Sequence, residues 1–202
     1  MFDVLCVTGR QLCDGDFLAQ MERIVAARPA GVVLREKDLS PDAYLSLARE
    51  VATRCAAGRV PLILHSRPEV ARALGVMQLQ LPMSLLRGLS EAERREFAVL
   101  GASVHSVEEA REAEALGCSY LVFGHVFETD CKRGLPGRGV AALREVCGAV
   151  QVPVLAIGGV SAENVDVVRG AGAAGVCVMS SAMQATDVGA LLRGLRGDAG
   201  RE

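Results

Sequence analysis

A histidine stands just behind an apolar run in the middle of the chain, where its side chain could transfer a proton. Residues 120–123 are strand-like, Gly124 follows them, and His125 opens a polar loop. Histidine has an unperturbed pKa of about 6.5, which suits general acid–base chemistry near neutral pH. A histidine at the end of a strand is also common as a structural or surface residue. This residue alone therefore leaves a catalytic and a structural interpretation open.

The other two histidines stand in the same relation to apolar runs. His65 ends the run 61–65, and His105 directly follows the run 100–104. Chance would seldom place every histidine of a chain at the end of a strand. The pattern therefore favours a functional role for at least one of the three.

Cationic residues that could bind an anion follow two of the runs. Arg35 and Lys37 alternate with Glu36, so both side chains point the same way if the strand continues. Two such cations could hold a carboxylate or a phosphate. In the alternative, they pair internally with the neighbouring acidic residues in a solvated cluster. Lys132 and Arg138, in a later loop, are further candidates for binding an anion.

Small residues after the last two apolar runs suit a phosphate. Gly158 and Gly159 precede one predicted helix, and Ser180 and Ser181 precede the last one. Small side chains allow the backbone to approach an anion closely, and the N-terminus of a helix offers unpaired N–H groups. In the alternative, the two glycines only form a tight turn. Two such loops side by side favour the phosphate site.

The elements that must position these residues form one repeating pattern. Short runs rich in Val, Ile and Leu alternate with amphipathic helical segments, in which Ser40, Ser106 and Ser161 are predicted N-caps. Residues 82–97 are less regular and are predicted to split into two short helices. The runs comprise residues 4–8, 31–35, 61–65, 76–79, 100–104, 120–123, 154–157 and 175–179.

Eight strand–helix units without an evident linker predict an α/β fold, a (β/α)8 TIM barrel that forms a single domain over residues 1–202. A doubly wound open sheet is the alternative. A polar tail is expected after about residue 195. In a TIM barrel the active site lies at the C-terminal ends of the strands. The histidines, cations and small residues named above would all lie at that face.

Composition excludes several classes of function. The net charge is −2, no basic stripe occurs, and aromatic residues make up 3% of the chain, which argues against nucleic-acid binding. The 7 cysteines are odd in number and include no C-x-x-C pair, so neither a zinc site nor a disulfide framework is predicted. The sequence shows no signal peptide and no membrane-spanning segment, so we expect a cytoplasmic protein.

Four motifs occur in order at successive predicted strand ends, and together they resemble the thiamine phosphate synthase superfamily. The resemblance covers nearly the whole chain. The superfamily has a synthase branch and a thiazole tautomerase branch. The motifs are Leu34-Arg35-Glu36-Lys37-Asp38, Ser103-Val104-His105-Ser106, Gly124-His125-Val126-Phe127 and Ala156-Ile157-Gly158-Gly159-Val160.

The synthase branch joins a pyrimidine pyrophosphate to a thiazole phosphate using Mg2+. Its members carry an aspartate in an Asn-Asp-Arg motif at the end of strand three and another aspartate after strand four. This chain has His65-Ser66-Arg67 at the first place and no acidic residue in 78–82 at the second. Mg2+ prefers anionic oxygen ligands, so the resemblance disfavours synthase activity and implies no metal and no cofactor.

The tautomerase branch carries Gly-His-Val-[Phe/Tyr]-Glu-Thr-Asp-Cys-Lys-Lys-Gly, which residues 124–134 match with Arg133 in place of one lysine. The resemblance therefore implies an isomerase that converts a non-aromatic carboxythiazole phosphate to its aromatic isomer in thiamine biosynthesis. His125 would transfer the proton. The alternatives are a thiamine phosphate synthase and a non-catalytic protein that binds a thiazole or thiamine phosphate.

The expected partner is a small-molecule thiazole phosphate, and homo-oligomerisation is left open. The phosphate is expected on the glycine and serine loops, and the carboxylate near cations such as Arg35 or Lys132. The residues expected to bind the substrate are Arg35, Lys37, Ser103, His105, Lys132, Gly158, Gly159, Ser180 and Ser181.

Overall fold

A computed structural model describes residues 2–129 and 134–197 of the chain. Eight parallel strands pair in chain order, and β8 pairs back to β1, so the sheet closes into a barrel. The predicted (β/α)8 TIM barrel is therefore confirmed. The strands are β1 (Asp3–Val7), β2 (Gly31–Leu34), β3 (Leu62–His65), β4 (Gln78–Pro82), β5 (Val99–Val104), β6 (Tyr120–Gly124), β7 (Val154–Ile157) and β8 (Gly175–Val178).

Helices follow the strands and surround the barrel. A short 3-10 helix, Arg10–Leu12, follows β1. The α-helices are α1 (Phe17–Ala26), α2 (Pro41–Gly58), α3 (Pro68–Leu74), α4 (Met83–Gly88), α5 (Glu91–Arg95), α6 (Val107–Ala115), α7 (Gly139–Ala149), α8 (Val165–Gly170), α9 (Ser180–Gln184) and α10 (Val188–Arg196). In the described part of the chain, no helix is long and apolar enough to cross a membrane.

The strands are apolar because both of their faces are buried. Val4 and Cys6 of β1 pack against the helices, whereas Leu5 and Val7 point into the barrel beside Val33. Burial of each such aliphatic side chain contributes about 1.5–3 kcal/mol. The inward residues pack together inside the barrel, and in this fold the ligand site lies at the C-terminal ends of the strands.

Local signals explain where several helices begin. Ser40 accepts a hydrogen bond from the Ala43 amide, and Ser106 accepts one from the Glu109 amide, as predicted. The predicted cap at Ser161 is wrong. Its amide instead donates to the Asn164 side chain at 2.9 Å, and this turn delays the start of α8 to Val165.

The region between β4 and β5 divides into two short helices, as predicted. The Ser90 and Glu93 side chains exchange hydrogen bonds with each other's backbone amides and start α5. The preceding strand, β4, runs over Gln78–Pro82, which lies further along the chain than the predicted residues 76–79. The polar Gln80 lies inside the barrel in β4, which interrupts the apolar run that the prediction relied on.

Candidate functional site

A cavity of about 560 Å3 opens at the C-terminal ends of the strands. The structure brings together on its wall almost every residue that the sequence singled out. Lys132 lies outside the described residues. The remaining candidates all line the cavity, namely His125, Arg35, Lys37, Ser103, His105, Gly158, Gly159, Ser180 and Ser181.

His125 presents a lone pair for which the described residues supply no partner. Its side chain is buried, and Nε2–H donates a hydrogen bond of 3.2 Å to the Leu135 carbonyl. This assignment leaves Nδ1 as an unprotonated acceptor, and Nδ1 is buried without a hydrogen-bond partner among the described residues. A buried acceptor left unpaired costs about 1–3 kcal/mol. A ligand with an N–H or O–H group would be stabilised at this position.

The peptide that carries His125 is held from two neighbouring loops. The Gly124 carbonyl accepts a hydrogen bond of 2.8 Å from Nδ1 of His105 and one of 3.0 Å from Nε of Arg138. The Arg138 amide also donates to the His125 carbonyl at 2.9 Å. Arg138, predicted to bind an anion, therefore also braces the backbone. His105 lies at the rim, where the Glu109 carboxylate accepts a hydrogen bond from its amide at 2.7 Å.

A cationic wall forms where β2 and β3 end. Arg35 and Lys37 both line the cavity, as their alternation with Glu36 predicted. His65, whose role the sequence left open, lines it beside them. Burial, and then the positive charges of Arg35 and Lys37, lower the pKa of His65 to about 3. His65 is therefore neutral at physiological pH, and its Nδ1 is 2.8 Å from the Ser66 hydroxyl.

Glu36, between the two cations, is turned away from the cavity. Its buried carboxylate accepts hydrogen bonds from the Thr8 hydroxyl at 2.6 Å and from the Arg10 amide at 3.1 Å. Asp38 pairs with the Arg10 guanidinium. The acidic groups of this segment therefore fasten the loop after β1, while the cationic groups reach the cavity.

The glycine and serine loops lie where β7 and β8 end. Gly158 and Gly159 have φ values of +99° and +65°, and a β-carbon on Gly159 would lie 2.5 Å from the Glu128 carbonyl oxygen. A side chain is thus excluded at this turn. Ser180 and Ser181 open α9, whose first-turn N–H groups have no partners within the helix. The arrangement suits an oxyanion such as a phosphate.

Sequence reasoning missed Gln80, a buried residue on the cavity wall. Its Nε2 donates a hydrogen bond of 3.1 Å to the Ser103 hydroxyl, and its Oε1 has no partner among the described residues. A β-carbon on Gly101 would lie 2.2 Å from that oxygen and 2.3 Å from Tyr120 Cζ, so only glycine leaves room for both side chains. A polar residue at an inward position of an apolar strand was the signal for it.

The described residues do not fit the Mg2+ that the synthase branch implies. No Asp or Glu is among the described residues that line the cavity. In that same part of the chain, no three His, Cys, Asp or Glu side chains cluster as metal ligands would. The ends of β3 and β4 offer a hydroxyl, an imidazole and an amide, which are weak ligands for a hard dication.

Comparison with known proteins shows the family to which this chain is similar. A family model described as thiamine monophosphate synthase matches residues 4–182. Thiamine-phosphate synthase 2 of Streptococcus pneumoniae is 37% identical over 177 residues, which cover 85% of this chain and 82% of that protein. Thiamine-phosphate synthase of Syntrophomonas wolfei is 32% identical over 202 residues, 96% and 95% of the two chains.

A solved structure extends the likeness to three dimensions. Thiamine phosphate pyrophosphorylase from Pyrococcus furiosus superposes with a TM-score of 0.81 at 26% identity, covering 97% of this chain and 94% of that one. The expectation of a thiazole tautomerase, an isomerase, is wrong, because these relatives are named synthases. Residues 124–134 match the loop motif of the tautomerase branch, but the sequence over most of the chain is similar to proteins named synthases.

Proposed function

This chain belongs to the thiamine monophosphate synthase family, and on that premise we propose that it is a thiamine-phosphate synthase. The proposed reaction joins a pyrimidine pyrophosphate to a thiazole phosphate, and pyrophosphate leaves. Both substrates are small, phosphorylated ring compounds. The protein would therefore act in thiamine biosynthesis as a transferase.

One observation carries this proposal: a single cavity has two separate features that suit anions. Arg35 and Lys37 form a cationic wall at one place, and the Gly158–Gly159 and Ser180–Ser181 loops lie at another. A site that joins two phosphorylated molecules needs both. The inward aliphatic side chains below, such as Val122 and Ile157, would contact the two rings.

The described residues have separate parts in the proposed reaction. Arg35 and Lys37 would neutralise the pyrophosphate and stabilise it as it leaves. The glycine and serine loops would hold the thiazole phosphate. His125 would accept a hydrogen bond at Nδ1 from one of the rings and so fix its orientation, because Nδ1 lacks a partner among the described residues.

The test is formation of thiamine phosphate from the two phosphorylated substrates. We expect the purified protein to form it, and Arg35→Ala to reduce kcat/KM by about a hundredfold or more, as loss of one charge-stabilising group typically does. Arg95→Ala is the matched control, since Arg95 is exposed on α5 and pairs with Glu91. No product from the wild-type protein would contradict the proposal.

A second candidate is favoured because no carboxylate is among the described residues of the wall. A protein that binds thiazole or thiamine phosphate without converting it needs cations and loop donors but no metal ligands. Binding of thiamine phosphate together with no turnover of the two substrates would establish this second function over the first.

A further inference from the structure

We propose that this cavity binds its phosphorylated ligand without a divalent cation, using cationic side chains and loop donors alone. The inference deepens the proposed function and rests on it for the identity of the ligand. Its basis is the distribution of charge among the described residues, in which Arg35 and Lys37 line the cavity and no carboxylate does.

The charged side chains that line the cavity are positive among the described residues. Arg35 and Lys37 line the cavity with His65, and their positive charges add to the effect of burial in lowering the pKa of His65. Arg35 also extends toward β8, where its Nη1 lies 3.9 Å from the sulfur of Met179, the residue before Ser180. Its guanidinium therefore extends from the cationic wall toward the start of α9. A ligand phosphate there would be neutralised directly.

Three acidic side chains near residues that line the cavity are engaged within the protein. Glu36 is occupied by the Thr8 hydroxyl and the Arg10 amide. Asp38 is occupied by the Arg10 guanidinium, and Glu109 by the His105 amide. None of these three carboxylates lines the cavity. A dication that entered would meet two cations and no anionic ligand from the described residues, so both repulsion and poor coordination would exclude it.

Two pairs of uncharged side chains lie at or beside the ends of β3 to β5. Ser66 is within hydrogen-bond distance of His65, and Ser103 accepts from Gln80. Both pairs are neutral, and Oε1 of Gln80 has no partner among the described residues, so this part of the described wall offers a metal ion no anionic ligand. The site is thus organised as a metal-free anion site.

Calorimetric titration tests this inference. Thiamine phosphate is titrated into the full-length protein in excess EDTA and, separately, in excess Mg2+. We expect the same Kd in both media. We expect Arg35→Ala to weaken binding in EDTA by about tenfold or more, equivalent to roughly 1.4 kcal/mol, with Arg95→Ala unchanged. Arg35→Lys, which retains the charge, should lose less affinity than Arg35→Ala and guards against a folding defect.

The outcomes separate this inference from the proposed function. Binding that is tighter by about tenfold in Mg2+ overturns the inference, as does an Arg35→Ala variant with wild-type affinity in EDTA. Formation of thiamine phosphate only when Mg2+ is present also overturns it and leaves the synthase proposal standing. Equal binding in both media with no turnover in either supports the inference and rejects the synthase proposal.

Discussion

The backbone of Gly158 packs directly against His125. A β-carbon placed on Gly158 would lie 2.3 Å from the β-carbon of His125 and 2.8 Å from its α-carbon. The amide of Val126, the residue after His125, donates a hydrogen bond of 2.9 Å to the Ile157 carbonyl. The backbone at the end of β7 therefore packs against His125. A shift of the Gly158–Gly159 loop would move the imidazole.

Gly158→Ala should displace His125 and disturb the cavity. The new methyl group cannot occupy its place at 2.3 Å, and φ at this residue is +99°. We expect a loss of stability of about 2–4 kcal/mol from strain and overpacking together. We also expect affinity for thiamine phosphate to fall by about tenfold or more. Urea unfolding and calorimetry measure the two effects.

Gly75→Ala is the matched control for that change. Gly75 also has a positive φ, +65°, but nothing lies within 4 Å of the β-carbon that would be added. It should cost about 1–2 kcal/mol from the left-handed backbone alone and leave affinity intact. Equal effects of the two substitutions on binding would contradict a specific contact between Gly158 and His125.

The architecture could be predicted because its signals are local. Doubly buried parallel strands are continuous apolar runs, and their alternation with helices leaves few folds to choose from. The same reasoning located Arg35 and Lys37 on one side of Glu36, because side chains alternate along an extended chain. Placement at strand ends then brought residues far apart in the sequence to one cavity.

The pairings within the site could not be predicted in the same way. Gln80 meets Ser103, and His105 meets the Gly124 carbonyl, through the register of neighbouring strands and through side-chain rotamers. The spacing of residues along the sequence predicts neither the strand register nor the rotamers. The expected isomerase is also wrong: it rested on the loop after β6 and on the missing acidic residues, whereas relatives that match most of the chain are named synthases. A motif at one strand end indicates only the conformation and chemistry of one loop, whereas sequence identity over most of the chain indicates the family.

The two donors to the Gly124 carbonyl predict a coupled pair of substitutions. His105→Ala or Arg138→Ala alone leaves this buried carbonyl one donor, so each should cost about 0.5–1.5 kcal/mol. The double variant leaves it with neither and should cost about 1–3 kcal/mol more than the sum of the two. A double-mutant cycle in urea measures this coupling. Strict additivity would show that the two donors act independently.

Two substitutions of Gln80 should show how the polarity of this buried side chain affects the stability of the fold. Gln80→Leu removes the unpartnered Oε1, so we expect stability to change by about 1 kcal/mol or less. Gln80→Glu places a carboxyl group in the same buried position, where desolvation raises its pKa and ionisation destabilises the fold at neutral pH. The folded state of that variant then binds more protons than the unfolded state. Its stability relative to the wild-type protein should therefore rise as pH falls from 7 toward 5.

A Gln80→Glu variant whose stability relative to wild type is the same at pH 7 and pH 5 would contradict burial of this side chain. Chemical unfolding at the two pH values is the measurement, with Gln80→Leu as the variant that cannot titrate. Both variants lose the Nε2 donor to Ser103 and only Gln80→Glu can titrate, so a change with pH in the difference between them reports ionisation.

Burial of a neutral His65 should make the fold sensitive to mild acid. The pKa of His65 is lowered to about 3 in the folded protein, whereas an unfolded histidine titrates near 6.5. Between these values the unfolded state binds a proton that the folded state does not. The stabilising effect of neutral pH is therefore lost as pH falls below about 6.5, at up to roughly 1.4 kcal/mol per pH unit from this residue.

His65→Gln removes the titrating group but keeps a side chain that can hydrogen-bond to Ser66. We expect the variant to be less stable than wild type at pH 7 but to lose less stability between pH 7 and pH 5.5, by about 1 kcal/mol. Urea unfolding of both proteins across this range gives the two slopes. Identical slopes would mean that burial and the nearby charges of Arg35 and Lys37 do not hold His65 neutral over this pH range.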